Sequence, residues 1–288
     1  MGSRPGTEPG HEPGAAAGTE PGTEPGTEAG IEGSGVRVDR AGPVVTITLD
    51  RPERLNAQTP HTWAALREAG RSLRGDVRVV VVRGVGRAFS AGLDRAAFDP
   101  DGPLADLGAA PAARAEETIR GFQEAFGWLR RPDLVSVAAV QGHAIGAGFQ
   151  LALGCDLRVL ADDAQLCMAE TTLGLVPDLG GTAPLVETVG YARALEICLT
   201  GRRVGAEEAL RLGLATVVVP RAELAGATAD LVAALLAAPR DAVVETKALL
   251  LGAVGRSRGA QEAAERAAQA RRLRDLRASF GAAADPDD

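Results

Sequence analysis

Two glycine-bearing loops, "AFSAGLD" at 88–94 and "QGHAIGAGFQ" at 141–150, hold the residues best placed for chemistry. A developing oxyanion is stabilised by two N–H donors fixed beforehand in a dry site. Donors of that kind need small neighbours, because a larger side chain would keep a substrate carbonyl away from the backbone. Each loop offers one such N–H, the second aided by the dipole of the helix it opens. The second loop also places Gln150, an amide rather than an acid, one turn into that helix.

Two other chemistries compete for the same residues. Gly142-x-x-x-Gly146-x-Gly148 after a strand would let a pyrophosphate reach a helix N-terminus, with Asp162 or Asp163 on a ribose. The short-chain dehydrogenases whose fingerprint this resembles carry it at the start of the domain and need a tyrosine with lysine four residues later. The only tyrosine is Tyr191 and position 195 is leucine, so that reading fails. "AFSAG" approaches a nucleophile elbow but has Ala88 where glycine belongs, and His143 would have to be the base. Ser90 is better read as satisfying a turn hydrogen bond.

The loops need strands and helices to hold them. "PVVTITLD" predicts a β-branched strand, followed by a turn at Asp50 to Pro52 and a helix entered near Thr59 or Pro60. "DVRVVVV" predicts a second strand running into the first glycine loop. Ile119, Phe122, Phe126 and Leu129 share one face of a helix over about 112–130. "LVSVAAV" predicts a buried strand ahead of the second loop. Beyond Ala183 helices dominate, interrupted by a strand at "LATVVV", and a last amphipathic helix covers roughly 260–278. Alternating strands and helices give an α/β core with a helical C-terminal region, and both glycine loops fall at one edge of the sheet.

Composition narrows the partners. From Gly2 to Gly30 a glycine recurs at every fourth position in a Pro- and Glu-rich tract with no apolar face. Residues 1–34 are read as a disordered tail that carries −5 of the formal −7 charge. The nearly neutral remainder argues against a nucleic-acid or anionic-membrane partner. No run of eighteen apolar residues is present and no secretory signal is visible. Cys155, Cys167 and Cys198 show no C-x-x-C spacing, which fits a reduced, cytoplasmic setting, and the three histidines are too scattered for a metal site.

Five segments in order, "VVTITLDRPERLNAQT", "AFSAGLD", "AAVQGHAIGAGFQLALGCDLRV", "ETTLGLVPDLGGT" and "GRRVGAEEALRLGLATVVV", resemble the crotonase (enoyl-CoA hydratase/isomerase) superfamily over about residues 36–275. The resemblance implies a spiral of ββα repeats at 35–200, a helical trimerisation region at 201–280 and a tail at 281–288. It also implies acyl-CoA thioester substrates, no metal or redox cofactor, and a homotrimer or dimer of trimers. By position it gives the two donors to Ala91 and Ala147. Coenzyme A would run along Arg54, Leu55, Ala57, Ser90, Ala91, Gly92, Leu93, Asp94 and Gly146.

The family's hydratases use two glutamates. Glu170 matches one, and the other falls on Gln150. Asp178 stands where hydratases usually have glycine and resembles the dienoyl-CoA isomerase branch, although that branch also has an acid at the position of Gln150. A turn or N-cap role before the helix at Thr182 is the competing reading of Asp178. One positioned carboxylate suffices to move a proton, so the expectation is an enoyl-CoA isomerase with Glu170 as base and acid. The alternatives are a 2-enoyl-CoA hydratase in which Gln150 places the water, and a non-catalytic acyl-CoA-binding subunit. Pocket walls are expected from residues 100–130, with "FDPDGPLADLGAAPAA" as a mobile lid. Lys247 is read as lying on a solvated helix face.

Overall fold

The valines of "VVVVRG" at 79–84 are all buried, as a parallel strand covered on both faces requires. The structure, a computed structural model, describes residues 33–283 together with Gly2 and the pair 27–28. The rest of the tract expected to be disordered, and the last five residues, lie outside the described residues.

The chain enters through a two-residue strand β1 (Thr27–Glu28), antiparallel to β2 (Val36–Ala41), which turns back as β3 (Val44–Leu49). Helix α1 (Pro60–Ser72) starts where the sequence predicts. Thr59 and Thr62 exchange a capping box, and Pro60 supplies a preset φ at the first position. Then come β4 (Val79–Gly84), α2 (Ala112–Gly127), β5 (Val135–Val140), β6 (His143–Ile145) and α3 (Ala147–Gly154). They are followed by β7 (Leu157–Ala161), β8 (Gln165–Cys167), α4 (Thr182–Val189), α5 (Tyr191–Thr200), β9 (Val204–Gly205) and α6 (Ala206–Arg211). The chain continues through β10 (Val217–Val219), α7 (Leu224–Ala237), α8 (Arg240–Ala253) and α9 (Arg258–Ala283).

The main sheet has the order β1-β2-β3-β4-β5-β7-β10, parallel from β3 onward. A smaller sheet has the order β6-β8-β9. This is a mixed α/β fold with a helical C-terminal region. Side chains alternate across the main sheet: Val80 and Val82 join Trp63, Phe89, Phe126 and Phe149 on one face, while Val79, Val81, Val137 and Val159 meet α7 on the other. The expected boundary at residue 200 falls elsewhere. β9 completes the small sheet and β10 the main one, so the purely helical stretch begins at α7. Among the described residues no single helix is long and apolar enough to cross a membrane.

Candidate active site

Polar side chains that are themselves buried fix the first loop. Leu55 and Asn56 follow β3 with φ of 53° and 55°, a left-handed pair that costs little for asparagine and more for leucine. Asn56 offsets this with its amide. Its Oδ1 accepts from Arg51 N at 2.9 Å, and its Nδ2 donates to Val85 O at 2.9 Å and Ala88 O at 2.8 Å. Gln58 accepts from Trp63 Nε1 and donates to Ser90 Oγ, which itself donates to Asn56 O and accepts from Gly92 N. Ser90 is wholly buried and committed to the loop, as its turn reading required. His143 Nδ1 lies 3.1 Å from an Arg203 nitrogen, so no Ser–His pair forms.

Counting the N–H groups of this loop changes one assignment. Ser90 N donates to His143 O, Ala91 N to Leu55 O at 2.9 Å, and Asp94 N to Gln58 O. The expected donor at Ala91 is therefore already used. Gly92 N is taken by Ser90 Oγ, and the N–H left without a partner among the described residues belongs to Leu93. Gly92 rests against the second loop so closely that a Cβ there would lie 2.5 Å from Ile145 O and 3.6 Å from Ala147 N.

The second loop behaves as its sequence predicts. Gly146 caps α3 with φ 51° and ψ −117°, a conformation open to glycine, and its N–H donates to Cys167 O. Ala147 is the first residue of α3, so its N–H is one the helix cannot use. Gly146 also lies beside Glu170, where an added Cβ would stand 3.2 Å from Oε1.

Ala91, Gly92, Leu93, Gly146, Ala147, Glu170 and Asp178 meet in one cavity of about 350 Å³. Its walls include Leu104, Leu107, Ile119 and Phe122, from the region expected to supply them. Phe122 packs on Trp63 with ring centroids 4.6 Å apart. Arg54, Leu55, Ala57, Ser90 and Asp94 do not line this cavity. Arg51 ties Ala57 O to the Asp94 carboxylate, and Asp94 caps the turn at Arg95–Phe98. Arg95 does line the cavity and was not singled out in the sequence, where nothing separates it from other loop arginines.

Burial pushes the Glu170 carboxyl above the usual carboxylate range; a hydrogen bond from Gln150 opposes that shift and the charge of Asp178 adds to it. Glu170 Oε1 accepts from Gln150 Nε2 at 2.7 Å, while Oε2 is buried and has no partner among the described residues. Burial raises Asp178 as well, and α4 is capped at Gly181 with no side-chain bond, so Asp178 is not its N-cap. Gln150 is 1% exposed and does not line the cavity, which removes it as a contact for water or thioester. Lys247 also departs from expectation, being buried with Nζ 2.6 Å from Asp156 Oδ2. That pair lines a different cleft of about 750 Å³ under α8, which holds none of the residues above.

The geometry can be set beside known proteins. The family model described as enoyl-CoA hydratase/isomerase matches residues 39–278. A carnitinyl-CoA dehydratase from Salmonella arizonae is 40% identical over 216 residues, covering 74% of this chain and 78% of that protein. A protein classed as an enoyl-CoA hydratase from Thermobifida fusca YX, solved in complex with acetoacetyl-CoA, is 50% identical with a TM-score of 0.81. The match covers 84% of this chain and 96% of that one. An enoyl-CoA hydratase from Mycobacterium smegmatis is 30% identical, with a TM-score of 0.77 and coverage of 87% and 95%.

Proposed function

The chain belongs to the enoyl-CoA hydratase/isomerase (crotonase) family, and from that membership we propose that it converts a 3-enoyl-CoA to the conjugated 2-enoyl-CoA. The thioester oxygen is held between the N–H groups of Leu93 and Ala147. Glu170 removes a proton from C2, and the electron pair passes into the thioester as a dienolate. The C3–C4 double bond then becomes C2–C3 as Glu170 returns the proton to C4, which restores the carboxylate. No electron acceptor is consumed, so the only cofactor called on is the coenzyme A that the substrate carries.

The observation that carries this reading is Glu170 itself, beside the mouth of α3 in the wall of the cavity that both Leu93 and Ala147 line, with one carboxyl oxygen left without a partner among the described residues. A carboxyl raised by burial suits a base that must also give its proton back. The test is conjugation of a 3-enoyl-CoA followed by ultraviolet absorbance, with Glu170→Gln as control. A rate equal to that control would end the proposal.

Hydration or dehydration of the C2–C3 bond is the second reading. The names of the similar proteins favour it, and so does the second carboxylate, Asp178, in the same cavity. Crotonyl-CoA hydration that is lost in Asp178→Asn would select it. Tight binding of both esters with no turnover would instead leave a non-catalytic acyl-CoA binder.

A further inference from the structure

Gln150 holds three hydrogen bonds with one amide. Its Oε1 accepts from Leu179 N at 2.9 Å and Gly181 N at 3.2 Å, and its Nε2 donates to Glu170 Oε1 at 2.7 Å. The two backbone donors decide which way the amide faces, because a flipped group would set its NH2 against two N–H groups. Gly181 closes the arrangement from the other side: a Cβ there would lie 2.6 Å from Gln150 Cγ and 3.1 Å from its Oε1. The N–H aimed at Glu170 Oε1 favours a lone pair on that oxygen, so a hydroxyl on Glu170 belongs on Oε2. The same amide anchors the turn at 178–181, the backbone from which Asp178 enters the cavity.

We propose that Gln150 is a positioning residue that confines proton transfer to a single oxygen, Oε2 of Glu170, and fixes the Asp178 carboxylate relative to it. The proposal rests on reading Glu170 as the proton carrier. Both proton steps then pass through one atom on one side of the substrate. Because Oε2 is buried, a hydrogen taken from C2 reaches C4 before it exchanges with water.

The other titratable groups near Glu170 are Asp178 and the thiols of Cys167 and Cys198; burial pushes both thiols up and the Glu170 charge adds to it, while at Cys167 the charge of Arg203 opposes the rise. Arg95 is the cation on the cavity wall. None of these side chains is hydrogen-bonded to Glu170 among the described residues.

Two variants remove the lock differently. Gln150→Leu deletes the amide, and Gly181→Ala keeps it but forces it from its seat. The Glu170 carboxyl is titrated by infrared difference spectroscopy on glutamate-labelled full-length protein, with Glu170→Gln as the blank. Its midpoint should rise in both variants, because the carboxylate loses an N–H donor. With a 3-enoyl-CoA deuterated at C2, deuterium carried to C4 should be retained by the parent and lost in both variants. Their kcat should fall by up to about 100-fold, with KM little changed and the acid limb of the pH profile moved upward.

An unchanged midpoint in the variants overturns the proposal, and so does a moved midpoint with kcat and label transfer intact. If Gln150→Leu does not fold, Gly181→Ala decides alone. If the parent turns over no 3-enoyl-CoA, the isomerase reading fails, yet the titration still shows whether Gln150 governs Glu170.

Discussion

At the scale of single residues, the proposed reaction depends on N–H groups that nothing else among the described residues consumes. Ala147→Pro removes one of them at a helix position where proline is tolerated. We expect kcat to fall by about 10²–10³-fold while the unfolding midpoint stays close to the parent's. Glu170 makes the opposite trade. Its carboxyl is raised in the folded state, so its stabilising effect is complete at low pH and is lost as pH rises through the folded value. Glu170→Gln should therefore be inactive yet melt higher than the parent at neutral pH, with the difference vanishing in acid. Thermal melts across pH would show it, and equal melting temperatures at neutral pH would refute it. Ala147, Glu170 and Asp178 each sit inside a patterned segment of the sequence, and the fold brings all three to one cavity. In the first loop the sequence does not separate Ala91 from Leu93, because only the fold reveals that Leu55 O takes the N–H of Ala91. Gln150 stands out in the sequence, but its hydrogen-bond partners do not, since they lie 20 to 31 residues away.

At the scale of elements, two buried polar knots join segments that are distant in sequence. Asn56→Ala would strand Val85 O and Arg51 N, leave Ala88 O with only the 3.4 Å bond from Gln141 Nε2, and put alanine at φ 55°. Urea unfolding should show a loss on the order of 2–3 kcal/mol, and a loss below the error of the method would sink this account of the loop. The Lys247–Asp156 pair pins α8 to the core, with Lys247 Nζ also donating to Leu134 O. Lys247→Met leaves a buried carboxylate unpaired and should cost about 3–5 kcal/mol. Adding Asp156→Asn should recover part of it in the same denaturation experiment. The periodicities that predicted α1, α2 and β3 to β5 held because each element presents a continuous apolar face. The expected boundary at 200 cuts across two short strands, and although the β10 segment reads as a strand, its pairing with β7, like that of β9 with β8, is made with partners far back in the chain. Lys247 was misread for the same reason, its partner standing 91 residues earlier.

At the scale of the whole molecule, Tyr191, Leu199, Leu250 and Val254 leave large apolar surfaces facing outward, and α9 packs mainly on α8. Such surfaces fit association with further copies of the chain. Light scattering should give the mass of three or six chains, and a single-chain mass would remove that expectation. The three residues of β10 carry a consequence for synthesis. They cover the outer edge of β7 with parallel hydrogen bonds, yet they emerge 56 residues after that strand ends. A growing chain on the ribosome thus displays a bare β7 border, apolar but for Arg158, for several seconds at about 5–20 residues per second. Chaperone dependence should peak in that interval and end once Val219 has cleared the exit tunnel.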